Sequence, residues 1–297
     1  MIVRGRTPRR VLVLEPHLSG HHAAYLSWII PGLIERGWDV AFVTDEGSLA
    51  LPAADPIIKL REEAGSNLSI LGARHEPWLD QQPSSRPGLA AKQLRYWALF
   101  RKWYDQQARR ARVDTVLLPY LDYCLYEIGI LGSPFRQTAW TGIAMRPSFH
   151  YAAMGVEAPR SRQDPLEQLL FERVLRNRYL RRMVTIDEPL FRYVTETRGA
   201  SAPITLLPEP VWSTPGVAPP VAKSILGLDP RKRYILVYGA LALRKGLHEL
   251  LEAANTQRFP PDTAVLLAGS PDREARQLLA GPVANQLREN GRLYVLD

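Results

Sequence analysis

The sequence predicts an α/β protein of two domains, residues 1–210 and 211–297. Three observations predict this. Short apolar runs alternate with longer stretches of helical periodicity. A segment packed with proline and glycine, Ser213–Pro230, divides that alternation into two blocks. The chain has 297 residues, beyond the ~100–200 of a usual single domain.

The elements follow in order. Arg9–Glu15 (RRVLVLE) reads as a buried strand. SGHHAAYLSWIIPGLIERG places Ala24, Trp28 and Ile29 on one helical face, and Pro31 should kink that helix or shift its start. Trp38–Thr44 is a second strand, completing a βαβ unit and implying a parallel sheet with a right-handed crossover. Residues 45–88 read as irregular, with Ile57–Leu60 a candidate strand. Gly88–Arg112 reads as a long helix, Val113–Tyr120 as a strand, DYCLYEIGILG as a helix and RQTAWTGIAM as a strand. Gln163–Arg182 reads as a helix, Met183–Asp187 as a strand, and Ile204–Trp212 as a strand closed by prolines. After the linker come RYILVYGAL, a helix from Leu247, TAVLLAGSP, a helix from Arg273 and GRLYVLD, a second strand–helix alternation.

Composition narrows the setting. Apolar residues make up 46% and charged residues 23%, an ordinary globular balance. The single cysteine, Cys124, excludes an internal disulfide and fits a reducing compartment. No run approaches the ~20 apolar residues that span a bilayer, and VLVL is too short for a signal-peptide core. A cytoplasmic protein is expected, soluble or peripheral at the inner face of a membrane. The net charge of +8 favours phosphorylated ligands, anionic lipid or polyanions without choosing among them. The helix Gly88–Arg112 sets seven cations against Asp105, with Trp97, Phe100, Trp103 and Tyr104 interleaved. That pattern suits an anionic membrane surface or a nucleic acid. It equally suits a helix whose aromatics face its own core beside solvated cations, with Leu89, Leu94 and Leu99 also needing burial. A second basic stretch, with Arg173, Arg176, Arg178, Arg181 and Arg182, reads the same two ways. GxxxxGK[ST], full GxGxxG, CxxC and GxSxG motifs are absent. P-loop hydrolysis, dinucleotide redox chemistry and serine hydrolysis lose support accordingly.

Two strand-to-helix turns carry candidate chemistry. In YGALALRKG, Gly239 would end a strand and let backbone approach a ligand. Arg244 and Lys245 would sit just before a helix N-terminus, where exposed N–H groups and the helix dipole favour an anion. The alternative is two solvated cations on a surface loop. In Ser19-Gly20-His21-His22, a small residue and a glycine allow the same close approach, and the histidines are able to donate to a phosphate or shuttle a proton. Being adjacent, they point ~100° apart on a helix, and they lack metal-ligand partners at helical spacing, so no metal site is expected. The acidic first turn after AGSP, with Asp272 and Glu274, reads as helix capping.

The order of four stretches resembles the family-4 glycosyltransferases. VLVLEPHLSGHHAAYLSWIIPGLIERGWDVAFVT is similar to that family's opening strand, glycine loop, helix and second strand, and LLPEPVW to the end of its first domain. RYILVYGALALRKGLHELLEA and TAVLLAGSPDREARQLL are similar to its donor-binding stretches. The resemblance implies the GT-B fold of two Rossmann-like domains, an acceptor-side first domain and a nucleotide-sugar-binding second one. It implies retaining transfer of a sugar from a nucleotide-sugar, with no required metal and no cofactor, the nucleotide-sugar being a co-substrate. By position Lys245 and Gly246 match the family's Lys-Gly, and the family's arginine falls on Ala240, with Arg244 nearby. Gly20 matches the second glycine of the first loop, whereas Ser19 replaces the first. His21 and His22 have no fixed family role. On the acceptor side the candidates are His150 and Arg146.

The family continues past GRLYVLD with a pair of glutamates that hold the donor. The resemblance therefore implies a second domain with an incomplete sheet, in a fragment or a naturally short chain whose last strand is an unpaired edge. The expected partners are a nucleotide-sugar donor and an acceptor of unknown class (glycan, lipid or small molecule), with peripheral contact to an anionic membrane open and no nucleic acid expected. A sugar-nucleotide epimerase of the same fold is the alternative enzyme. A degenerate, non-catalytic module binding nucleotide or anionic surfaces is the alternative of a different class.

Overall fold

The structure is a computed structural model and describes residues 9–83, 85–156, 161–208 and 216–296. The chain divides into two compact units, Met1–Pro210 and Val211–Asp297.

The first unit is built on seven parallel strands: β1 (Arg9–Leu14), β2 (Trp38–Asp45), β3 (Leu68–Ala73), β4 (Thr115–Leu118), β5 (Ala139–Ala144), β6 (Leu180–Thr185) and β7 (Ile204–Leu206). Their order across the sheet is β3-β2-β1-β4-β5-β6-β7. Its helices are α1 (His21–Glu35), α2 (Glu46–Leu49), α3 (Asp55–Ala64), α4 (Arg86–Arg110), α5 (Leu125–Leu131), α6 (Asp164–Leu175) and α7 (Glu188–Arg198). Successive strand side chains point to opposite faces, so β1 feeds two cores. Val11 and Val13 pack with Leu26, Ile30, Phe42 and Ile57 on the α1–α3 face. Leu12 and Leu14 pack with Phe100, Trp103, Trp140 and Phe171 on the face of α4 to α7.

Several expectations are corrected here. Ile57–Leu60 lies inside α3, because the run's apolar residues serve one buried helix face at Ile57 rather than a strand. The stretch read as irregular holds α2, α3 and β3. Pro31 lies within α1 without ending it. The helix expected over Gln163–Arg182 stops at Leu175, and its last three residues, Leu180–Arg182, open β6. Of the strand expected over Ile204–Trp212, Ile204–Leu206 is β7, and the residues from 209 onward lie outside the described residues.

The second unit has three parallel strands, β8 (Arg233–Tyr238), β9 (Thr263–Ala268) and β10 (Leu293–Leu296), in the order β10-β9-β8. Its helices are α8 (Pro219–Ile225), α9 (Leu247–Ala254), α10 (Arg273–Leu279) and α11 (Pro282–Glu289). The stretch expected to be linker thus contains a short helix. Leu247, Leu251, Val265, Leu267 and Leu287 form the core under α9 to α11. β9 is buried along most of its length, whereas Ile235, Leu236 and Tyr238 of β8 are exposed. The asymmetry follows from topology: β9 is paired on both sides, and among the described residues β8 and β10 are both edges.

One buried group sets a pH dependence. Glu127, inside α5, is buried, its Oε2 has no hydrogen-bond partner among the described residues, and burial pushes its carboxyl from 4.5 up to about 7. The folded chain holds this proton more tightly than the unfolded chain. Stability therefore falls as pH rises from the ordinary carboxylate range to about 7. Glu127→Gln should stabilise the protein by up to about 3 kcal/mol at about pH 8 and give little gain near pH 4. Urea unfolding at the two pH values checks this, and an equal effect at both would refute the burial argument.

Candidate functional site

β1 and β4 are neighbours, yet β1 leads into α1 on one face and β4 leads towards α5 on the other. At such a reversal the connections diverge and leave a crevice outside the carboxyl ends of the strands. A cavity of about 430 Å³ occupies that place, lined among others by His17, His22, Tyr96, Tyr120, Tyr123 and Arg146.

Behind it lies Glu15, the residue after β1, with 0% of its surface exposed. A buried carboxylate is tolerated only when partners replace its water. Oε1 accepts from the His17 backbone N–H at 3.0 Å and the Tyr123 hydroxyl at 3.2 Å. Oε2 lies 3.3 Å from His22 Nδ1, within ion-pair reach but off the axis of a hydrogen bond. His22 sits in the first turn of α1, its ring 4.8 Å from that of Tyr120 and stacked on Tyr123 at 6.0 Å. Burial pushes the Tyr123 hydroxyl well above the ordinary phenol range, and the Glu15 charge adds to this, so the group stays a proton donor. Burial likewise pushes Tyr120 up to about 12. A carboxylate on one ring nitrogen of a histidine that faces a cavity is the arrangement that orients an imidazole for proton transfer.

The opposite wall is tied down by polar contacts. His17 Nε2 and the Tyr96 hydroxyl are 2.8 Å apart, and burial lowers the His17 pKa against the opposing pull of Glu15. Lys92 Nζ donates to the carbonyls of Leu79 at 2.9 Å and Gln81 at 2.6 Å. His75 bridges two carboxylates, Nδ1 at 3.0 Å from Asp45 Oδ2 and Nε2 at 3.2 Å from Asp80 Oδ2. These contacts fasten the segment between β3 and α4 against the end of β2. Asp122, also lining the cavity, accepts from the backbone N–H groups of Met145 and Arg146, both at 3.0 Å. Its carboxyl is nevertheless raised, because burial outweighs those bonds.

The structure brings together some of the sequence-derived candidates. Gly20 stands at the mouth of this loop with φ 59° and ψ −131°, a conformation that glycine alone adopts readily. His21 is the first residue of α1, and its side chain lies outside the described residues. Arg146 lines the cavity with its guanidinium 5.2 Å from the Tyr120 ring centre. His150 is not brought there. It is fully buried, its Nε2 3.1 Å from Asp187 Oδ2, among Phe149, Tyr151 and Tyr193. Asp187 caps α7, so His150 anchors the stretch after β5 to that helix.

In the second unit Gly239 follows β8 with φ 80°, and Gly246 caps α9 in the left-handed conformation, φ 76°. Gly269, after β9, approaches Gly239 so closely that a methyl group on Gly269 would overlap the Gly239 carbonyl. Lys245 folds back over this bend, Nζ 3.4 Å from the Tyr238 carbonyl oxygen. Arg244 is exposed and has no ion pair among the described residues. No side chain caps α9, so its first N–H groups stay open at the carboxyl end of the sheet.

Sequence reasoning missed Glu15, His17, Tyr96, Tyr120 and Tyr123. A signal was present: a carboxylate ending an apolar strand (VLVLE), with a histidine two positions on, has no structural use unless partners meet it. The tyrosines come from α4 and from the turn after β4, and no spacing in the chain joins them to β1.

The two histidines should titrate in opposite directions. NMR titration should place His17 below 6.5 and His75 above it, and Asp45→Asn should return His75 towards 6.5. The stability that His75 contributes is full below 6.5 and is lost as pH rises through its higher folded value. Overlapping titrations for the two rings would contradict the bridge between Asp45 and Asp80.

Neither a protein family nor a curated protein matches the chain by sequence. Solved structures match it along nearly its whole length. Sucrose-phosphate synthase from Thermosynechococcus elongatus superposes with a TM-score of 0.60 at 16% identity, over 97% of this chain and 70% of that one. A UDP-glucosyltransferase from Polygonum tinctorium capable of glucosylating indoxyl gives 0.55 at 13%, over 98% and 71%. HepE from Anabaena, in complex with UDP-glucose, gives 0.50 at 14%, over 97% and 68%. At these identities the likeness is one of fold, and the fold is that of the GT-B glycosyltransferases, an α/β architecture of two parallel-sheet units.

Proposed function

We propose that the protein transfers a sugar from a nucleotide-sugar donor to an acceptor hydroxyl bound in the cavity of the first unit. The observation that carries this reading is the buried Glu15 behind His22 at the switch point of a GT-B sheet. His22 takes the acceptor's proton as its oxygen bonds to the anomeric carbon, and Glu15 steadies the resulting imidazolium. The bond from that carbon to the donor diphosphate breaks, and the electron pair leaves with the diphosphate. Lys245, with Arg244 beside it, receives that charge at the open start of α9, with Gly239 and Gly246 giving the phosphates close access to backbone. The reaction draws on no cofactor beyond the nucleotide-sugar.

Retention is the stereochemical course that the family-4 resemblance implies. The Glu15–His22 pair favours a second course, since a base on the acceptor side suits direct displacement with inversion. The anomeric coupling constant of the first-formed product distinguishes the two.

With a panel of nucleotide-sugars and acceptors, product formation should require both substrates. Lys245→Ala should lower kcat by roughly 10²–10³, and His22→Ala by roughly 10²–10⁴. Undiminished turnover in both variants would remove these sites from the reaction. Conversion of the nucleotide-sugar without acceptor would replace transfer by epimerisation.

A further inference from the structure

No helix among the described residues is long and apolar enough to cross a membrane. One face of the first unit nevertheless exposes aliphatic surface. The sequence suggested that Leu89, Leu94 and Leu99 need burial, but only Leu99 is buried. Leu94 of α4, Ile130 and Leu131 of α5, and Leu166 and Leu169 of α6 are each 49–60% exposed. The three helices adjoin. The indole N–H of Trp97, one turn beyond Leu94, donates to the Gly132 carbonyl beside Leu131 at 2.9 Å. The Tyr126 hydroxyl of α5 donates to Glu167 of α6 at 3.0 Å. Gly129 meets the Leu170 backbone so closely that a methyl group there would stand 2.5 Å from its carbonyl oxygen. Five large aliphatics on adjoining helices form more apolar surface than scattered exposure explains.

The charges around this face are cationic on balance among the described residues. Arg86, at the start of α4, and Arg173, one turn beyond Leu169, are exposed and have no ion pair among the described residues. Arg101 and Arg136 share the single carboxylate of Asp105, and Arg176 and Arg198 share Glu172. Each trio keeps one positive charge in excess. The remaining described carboxylates are fewer than these cations and are hydrogen-bonded or buried: Asp164 accepts from the Ser161 N–H, Glu167 from Tyr126, and Glu127 lies inside. The aromatics of α4, by contrast, serve the core, with Tyr96, Phe100, Trp103 and Tyr104 all buried.

We propose that the α4–α5–α6 face docks on an anionic lipid bilayer, its aliphatics entering the headgroup boundary and its arginines meeting lipid phosphates. An aliphatic centre inside a rim that is cationic on balance is complementary to that surface. A protein partner would have to supply the missing acidic groups itself. The face and the cavity share α4, whose Leu89 lines the cavity. Docking does not depend on the sugar-transfer reading. An acceptor drawn from the membrane would depend on it.

Vesicle flotation tests the proposal with the full chain. The protein should float with phosphatidylcholine vesicles containing about one third phosphatidylglycerol and not with phosphatidylcholine alone. Binding should weaken at least tenfold between ~0.1 M and ~1 M salt. Leu94→Glu with Ile130→Glu and Leu166→Glu should abolish flotation, as should Arg86→Glu with Arg173→Glu. Arg258→Glu, an exposed cation of the second unit, should not change it. Circular dichroism verifies that each variant is folded. Failure of the unaltered chain to float at low salt would overturn the proposal, as would flotation that survives both sets of substitutions. Loss of transfer with flotation intact would count against the functional reading alone.

Discussion

The reversal of strand order between β1 and β4 is the constraint on which the first unit's chemistry depends. Right-handed crossovers leave no choice about which face each helix covers once the order is set. The helices from β1 and β4 therefore part, and the strand ends between them remain uncovered. Everything at the cavity is a consequence of filling that gap with side chains rather than with another helix. The gap also explains why residues as distant as Glu15, Tyr96 and Tyr123 come to share hydrogen bonds and ring contacts.

Placing a carboxylate at the bottom of such a gap is expensive unless every lone pair is met. At Glu15 a backbone N–H, a tyrosine hydroxyl and an imidazole share the task. Two of these come from the chain just after β1, which accounts for a glycine, Gly20, just ahead of α1. A glycine there lets the chain turn sharply enough to bring His22 back over the residue that follows the strand. The turn and the ion pair are thus parts of one local arrangement. His150 shows the contrast: it is also buried against an aspartate, but that pair joins a loop to a helix cap.

The sheet was legible in the chain because its strands are unbroken apolar runs, as strands covered on both faces must be. β3 escaped notice because LSILGA is only partly buried and mixes small and polar residues at a sheet edge. α7 was overlooked because its clearest signal is a cap, Asp187 followed by Glu188-Pro189, rather than a long apolar stripe. In the site, glycines and cations at strand-to-helix turns could be read directly, since their reasons are local. Arg146 was within reach for the same reason, whereas His150 looked equally promising until its burial was known. The tyrosine cluster had no local signature: its members are joined by the sheet order, which no single segment encodes.

Helix α4 links the cavity to the exposed face through its pitch alone. Leu89, Lys92, Tyr96, Phe100 and Trp103 recur at three- and four-residue steps and form the inward stripe. Arg86, Ala90, Leu94, Trp97 and Arg101 recur at the same steps a quarter-turn or more away, towards solvent and α5. Neither stripe can be shifted by one residue without moving the other, because both ride on one rigid ladder of backbone bonds. At 1.5 Å per residue, Leu94 lies about 7–8 Å along the helix from Leu89 at the cavity mouth. A surface that held the outer stripe would therefore fix how far along itself that mouth lies.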